Sequence, residues 1–109
     1  MIRKITLFFL VTLSVCASAV AQYSIKSSVW DDKNGMAVEL ANVQLLSAKD
    51  SAYAAGAKTD SRGEFVLSKV KPGNYIIIVS SVGYIKQTSN ITLTNKDLVL
   101  KRISLVENV

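Results

Sequence analysis

Turn-forming clusters cut the chain at short intervals: "DDKNG" (31–35), "KDS" (49–51), "DSRG" (60–63), "KPGN" (71–74), "SVG" (81–83) and "TNKD" (94–97). Between them lie runs rich in β-branched and aromatic residues: "YSIKSSVW", "NVQLLS", "GEFVLSKV", "NYIIIVS", "YIKQTSNITL" and "DLVLKRISL". Strand-sized runs at intervals of roughly ten residues, with no long helical period, predict an all-β sandwich or barrel. Several runs alternate with the two-residue period of a half-buried strand. Ile25, Ser27 and Val29 oppose Lys26 and Ser28, Val43 and Leu45 oppose Gln44 and Leu46, and Phe65 and Leu67 oppose Glu64 and Ser68. The apolar member of each set is the expected core face.

Two stretches depart from that template. "SAYAAGAK" (51–58) contains good helix formers, but it is short and carries Gly56, and the following turn would fold it back on 64–70. A strand is expected there. "YIIIV" (75–79) is apolar on both faces: with Tyr75, Ile77 and Val79 in the core, Ile76 and Ile78 point outward. Two readings stand, a central strand covered by a neighbouring loop or a docking surface. Ile76, Ile78 and Trp30 are the candidate contact residues.

"TDSRGEF" (59–65) concentrates a hydroxyl, a carboxylate, a guanidinium and a glycine. Asp60 suits the first position of a type I turn, where its carboxylate accepts from a backbone N–H two residues on, and Gly63 suits the last. The stretch reads as a hairpin turn, with Ser61 and Arg62 at the tip. Elsewhere the chemistry is sparse. The sequence has no histidine, so His-dependent triads and His-bearing zinc sites are excluded. "WDDKNG" lacks the first carboxylate of a calcium loop, since Trp30 stands there, and Asp31, Asp32, Asn34 and Gly35 read as a turn. The glycines are isolated, so no phosphate-cradling loop exists. Trp30 with Tyr53 or Tyr84 is a candidate platform for a sugar ring, set against ordinary packing on the sandwich rim. No catalytic, metal-binding or cofactor-binding residue is expected, and no cofactor.

The N-terminus, "MIRKITLFFLVTLSVCASAVAQ", has the order of a secretory signal: Arg3 and Lys4, an apolar run over Ile5 to Val15, then Ala19-Val20-Ala21. The run is well short of the roughly 20 residues that span a bilayer as a helix. Cleavage is expected after Ala21, giving a signal peptide over 1–21 and one domain over 22–109. Val15 ahead of Cys16 argues against lipoprotein processing, which wants a small residue there. The mature domain then has no cysteine and must hold together by burial alone. The chain carries a net charge of +5, lowered by two when Arg3 and Lys4 leave. The remaining basic residues are scattered rather than clustered, which excludes a nucleic-acid footprint.

The order of these landmarks resembles the carboxypeptidase regulatory-like domain, a transthyretin-like, prealbumin-like seven-stranded β-sandwich. The matching residues are Val29-Trp30-Asp31 before Gly35, Ala41-Asn42-Val43 opening the second strand, Thr59-Asp60 with Gly63 and Phe65, Gly73 with Tyr75, and Val82-Gly83-Tyr84. One departure is Met36-Ala37-Val38, where the family usually carries a proline-leucine pair. The resemblance implies no peptidase activity, because the module is an appendage to the catalytic domain in the enzymes that named it. "DSAYAAGAKTDSRGEF" and "LKRISLVENV" are similar to the variety that precedes the plug and barrel of TonB-dependent outer-membrane receptors. That likeness implies a non-catalytic periplasmic module acting by contact with an outer-membrane β-barrel and plug or another periplasmic protein. No series of transmembrane strands follows before Val109, so a truncated or stand-alone N-terminal module is expected. The alternative is a free-standing carbohydrate-binding module using Trp30 and the tyrosines.

Overall fold

The computed structural model describes residues 21–108. The expected signal segment, apart from Ala21, and Cys16 within it lie outside the described residues. The described chain forms eight strands: β1 (Tyr23–Asp31), β2 (Asn42–Ser47), β3 (Tyr53–Lys58), β4 (Glu64–Val70), β5 (Gly73–Ser80), β6 (Gln87–Leu93), β7 (Leu98–Val99) and β8 (Ile103–Leu105). They make a two-layer sandwich. One sheet has the order β4-β1-β7 with β8 also paired to β1, and the other has the order β3-β2-β5-β6. The β4–β1 pair and all pairs of the second sheet are antiparallel, whereas β7 and β8 run parallel to β1.

The expected alternation sets the core. Ile25 and Val29 of β1, Val43 and Leu45 of β2, Phe65 and Leu67 of β4, and Tyr75, Ile77 and Val79 of β5 are all buried. Residues 53–58 form a strand, and Ala55 and Ala57 turn their small side chains against the core. Helix propensity yields here because a six-residue helix would gain few hydrogen bonds, while a strand pairs along the length of β2.

The single C-terminal strand expected over "DLVLKRISL" is instead two short pieces, β7 and β8, interrupted at 100–102. Ser27 explains how the interruption is tolerated. It lies on the inward side of β1 and is only half-buried, and its hydroxyl donates to the Lys101 carbonyl at 2.9 Å, with the Leu100 carbonyl at 3.3 Å. Backbone carbonyls released from the ladder thus recover a donor. Beyond β8 the chain stays docked: Ile85 N–H donates to the Val106 carbonyl and Asn108 N–H to the Gly83 carbonyl, both at 2.8 Å.

A bulge sets the end of β4. Tyr23 pairs with Val70 and Ile25 with Leu67, so β4 spends one more residue than β1 over that interval. Lys69 absorbs it at φ 56°, which lets both Leu67 and Val70 face inward.

Candidate functional site

Each cluster of polar residues singled out in the sequence is engaged by the fold. In the 59–65 turn, the Asp60 carboxylate accepts from the backbone N–H groups of Arg62 and Glu64, both at 2.9 Å, and Gly63 N–H donates to the Asp60 carbonyl at 2.9 Å. The Glu64 and Arg62 donors hold the Asp60 carboxyl below the usual carboxylate range. Gly63 has φ +74°, and a Cβ there would lie 2.5 Å from the Val29 carbonyl oxygen. Its own carbonyl accepts from Val29 N–H at 2.7 Å. Conformation and close approach both require glycine.

Thr59 precedes the turn and is fully buried. Its Oγ1 donates to the Val38 carbonyl at 2.6 Å and accepts from Ala41 N–H at 2.8 Å. Its backbone also pairs with Leu40 and Ala41. One side chain therefore fastens the loop that leads into β2, including Leu40 at φ 60°. Sequence alone marked Thr59 as a landmark without this role, because its partners lie 18 and 21 residues away.

Asp31 ends β1 and is buried. Its Oδ1 accepts from the N–H groups of Lys33 (2.8 Å) and Asn34 (2.9 Å), and its Oδ2 accepts from the Tyr84 hydroxyl at 2.7 Å. The Tyr84 hydroxyl first, then the Asn34 and Lys33 N–H groups, push the Asp31 carboxyl below its ordinary range, and the same Asp31 bond raises the Tyr84 phenol above its own. Asn34 closes the turn by accepting from Met36 N–H at 2.8 Å, and Gly35 takes φ 70°. "DDKNG" is thus a turn, whose first carboxylate reaches across to the 81–84 loop. Among the described residues no group of three His, Cys, Asp or Glu converges as a metal site would need.

The candidate contact residues occupy two different faces. Ile76 and Ile78 are half-buried on the outer side of the β3-β2-β5-β6 sheet. The register puts Leu46 and Asn90 beside Ile76, and Gln44 and Thr88 beside Ile78. Tyr53, opposite Leu46, is 67% exposed. Its ring lies along the strand over Gly56, where a Cβ would meet the Tyr53 hydroxyl at 2.5 Å. Tyr53, Leu46, Ile76 and Ile78 therefore form one apolar band. Trp30 belongs to the other sheet: its indole N–H donates to Ser28 Oγ at 2.9 Å, and the Arg102 guanidinium lies 4.9 Å above its ring. Of the three aromatics considered for a sugar platform, Trp30 is stacked by Arg102, Tyr84 is tethered to Asp31, and Tyr53 sits on the opposite sheet. A surface groove of about 580 Å³ lies beside Tyr53 and Pro72, and Lys49 is the one charged residue lining it.

The model of the carboxypeptidase regulatory-like domain matches residues 24–106. This chain belongs to that family. Solved structures share the sandwich. The TIE protein of Bacillus anthracis aligns with a TM-score of 0.66 at 15% identity, covering 79% of this chain and 17% of that one. A minor pilin of Streptococcus agalactiae gives 0.64 at 14% identity, covering 83% and 46%. The 5-hydroxyisourate hydrolase of Klebsiella pneumoniae gives 0.61 at 13% identity, covering 80% and 92%. At such identities the likeness is one of fold, here transthyretin-like, and the same fold occurs in a minor pilin and in a hydrolase alike. No curated protein matches this chain by sequence. The carboxypeptidase regulatory-like domain is a non-catalytic module.

Proposed function

We propose that this domain is an exported, non-catalytic contact module of the outer-membrane receptor type, working on the periplasmic side against a β-barrel and plug or another periplasmic protein. The observation that carries the reading is the contrast between its polar and apolar surfaces. Asp31, Thr59 and Asp60, the groups best suited to chemistry, are engaged by the domain's own backbone or by Tyr84. The outer face of β5, by contrast, presents Ile76 and Ile78 where an isolated sandwich would gain more from polar side chains. Family membership supports the same reading, since the module serves as an appendage to larger proteins. The basic, apolar and Ala-x-Ala order of residues 1–21 supports export.

The test is site-specific photo-crosslinking in a Gram-negative host. A photoreactive residue replacing Ile78 is expected to capture a protein in the outer-membrane fraction, and the same residue replacing Arg62 at the turn tip is expected to capture none. Equal capture from both positions, or a chain that stays in the cytosol with residues 1–21 uncleaved, would overturn the proposal.

A further inference from the structure

The two sheets expose four lateral edges, and three of them are guarded. β4 carries Glu64 and Lys69 and bends at the Lys69 bulge. β3 has a register shift opposite Leu45 and Leu46, ends on Lys58, and lies against β4. β7 and β8 are two and three residues long. These are the usual devices that keep an edge from pairing with another chain. β6 has none of them. Its seven residues, "QTSNITL", pair with β5 in unbroken register, without charge, proline or bulge. Among the described residues its other side has no strand partner.

A cleft opens beside that edge. About 420 Å³ in volume, it separates β6 from the segment 100–104, with Ile77, Ile91, Leu100 and Ile103 supplying apolar wall and Gln87 and Ser89 at the β6 side. The charged residues lining it, Lys101 and Arg102, are both cations, and Lys86 and Lys96 lie just before and just beyond β6 in the chain; all four are exposed. Asp97, the acid beside Lys96, accepts from Ser24 N–H at 2.8 Å.

We propose that β6 is a strand-addition site for an extended polypeptide segment that alternates apolar and acidic residues. The free backbone groups of β6 specify an extended main chain. The two-residue period of such a chain sends alternate side chains into the apolar cleft, and the lysines select acids at the remaining positions. This edge is a different surface from the outer face of β5, so each can fail without the other.

The probe is a terminally blocked seven-residue peptide alternating valine and glutamate, titrated against the chain expressed whole and followed by fluorescence anisotropy and amide NMR. Saturable binding is expected, with shifts concentrated in 87–93. Lys101→Glu should weaken it about tenfold. A peptide with lysine in place of glutamate should prefer the Lys101→Glu variant. N-methylation of one alternate set of peptide amides should abolish binding, while methylation of the other set should leave it, because only one set faces β6. Several outcomes would overturn the proposal: no binding at millimolar peptide, equal binding of the lysine peptide, indifference to N-methylation, or shifts confined to Ile76 and Ile78. A dimer seen in sedimentation and dispersed by Ser89→Lys would also overturn it, by assigning the edge to a second copy of this chain.

Discussion

Replacing Thr59 by valine keeps the shape of the side chain and exchanges its hydroxyl for a methyl. In the folded protein that hydroxyl is fully buried and serves two backbone groups, the Val38 carbonyl and Ala41 N–H. Valine leaves both without a partner in a place water does not reach. A buried group stranded in this way costs about 1–3 kcal/mol, so the pair should cost about 2–4 kcal/mol, allowing for partial relaxation of the 38–41 loop. Thr59→Ser provides the control, since it keeps the hydroxyl and removes one methyl, at about 1 kcal/mol. Urea melts followed by the fluorescence of Trp30, the one tryptophan of the chain, measure both variants. The slope with denaturant should stay constant while the midpoint moves. If the serine variant proved less stable than the valine variant, methyl packing rather than the two hydrogen bonds would hold the loop, and the reasoning would be refuted.

Gly63→Ala should destabilise by about 2–3 kcal/mol, from positive φ and the approach to the Val29 carbonyl, whereas Arg62→Ala should stay within about 0.5 kcal/mol; chemical denaturation distinguishes them, and the opposite order would contradict the turn geometry. Asp31 and Asp60 have depressed carboxyl pKa values in the fold. Their contribution is therefore present above the unfolded value of about 3.9 and lost as pH falls from there through the folded values. Thermal melts between pH 6 and 2 should show that loss, and Asp31→Asn should remove the Asp31 share of it while the Asp60 share remains. Tyr84 titrates in the opposite sense: its raised phenol pKa contributes stability below about pH 10 that disappears as pH rises through the folded value, and Tyr84→Phe should remove this alkaline limb. Mass spectrometry of the exported product should find Gln22 at its N-terminus, and a lipidated Cys16 would contradict cleavage after Ala21.

The sandwich was legible because its information is local. Alternation at 25–29, 43–46 and 64–68 names the inward side chains, and turn chemistry at 31–35 and 60–63 places the reversals. Asp60 and Gly63 could be read from one short stretch, since both partners of the Asp60 carboxylate lie within four residues. Long-range pairing was not legible. Nothing near Asp31 signals that its second oxygen takes a bond from Tyr84, 53 residues on, and nothing near Thr59 announces the 38–41 loop. The split of the last strand into β7 and β8 was hidden for a related reason, because it depends on the Ser27 hydroxyl, 74 residues from Lys101. Ile76 and Ile78 stand out in the sequence because both faces of their strand are apolar, and Trp30 because it is an aromatic at a strand end. Neither signal says which sheet bears the side chain, and the fold puts Trp30 on the other layer.

The contact reading is tested most directly by co-sedimentation of the chain with outer-membrane vesicles, run beside denaturant melts of the same variants. Ile77 is 3% exposed, and Ile77→Ala should cost about 2–5 kcal/mol through lost burial and a residual cavity. Ile76→Ser combined with Ile78→Ser should stay within about 1 kcal/mol of the parent and yet lose most of the sedimented fraction. A double variant that sediments as the parent does, or that unfolds as readily as Ile77→Ala, would contradict the account.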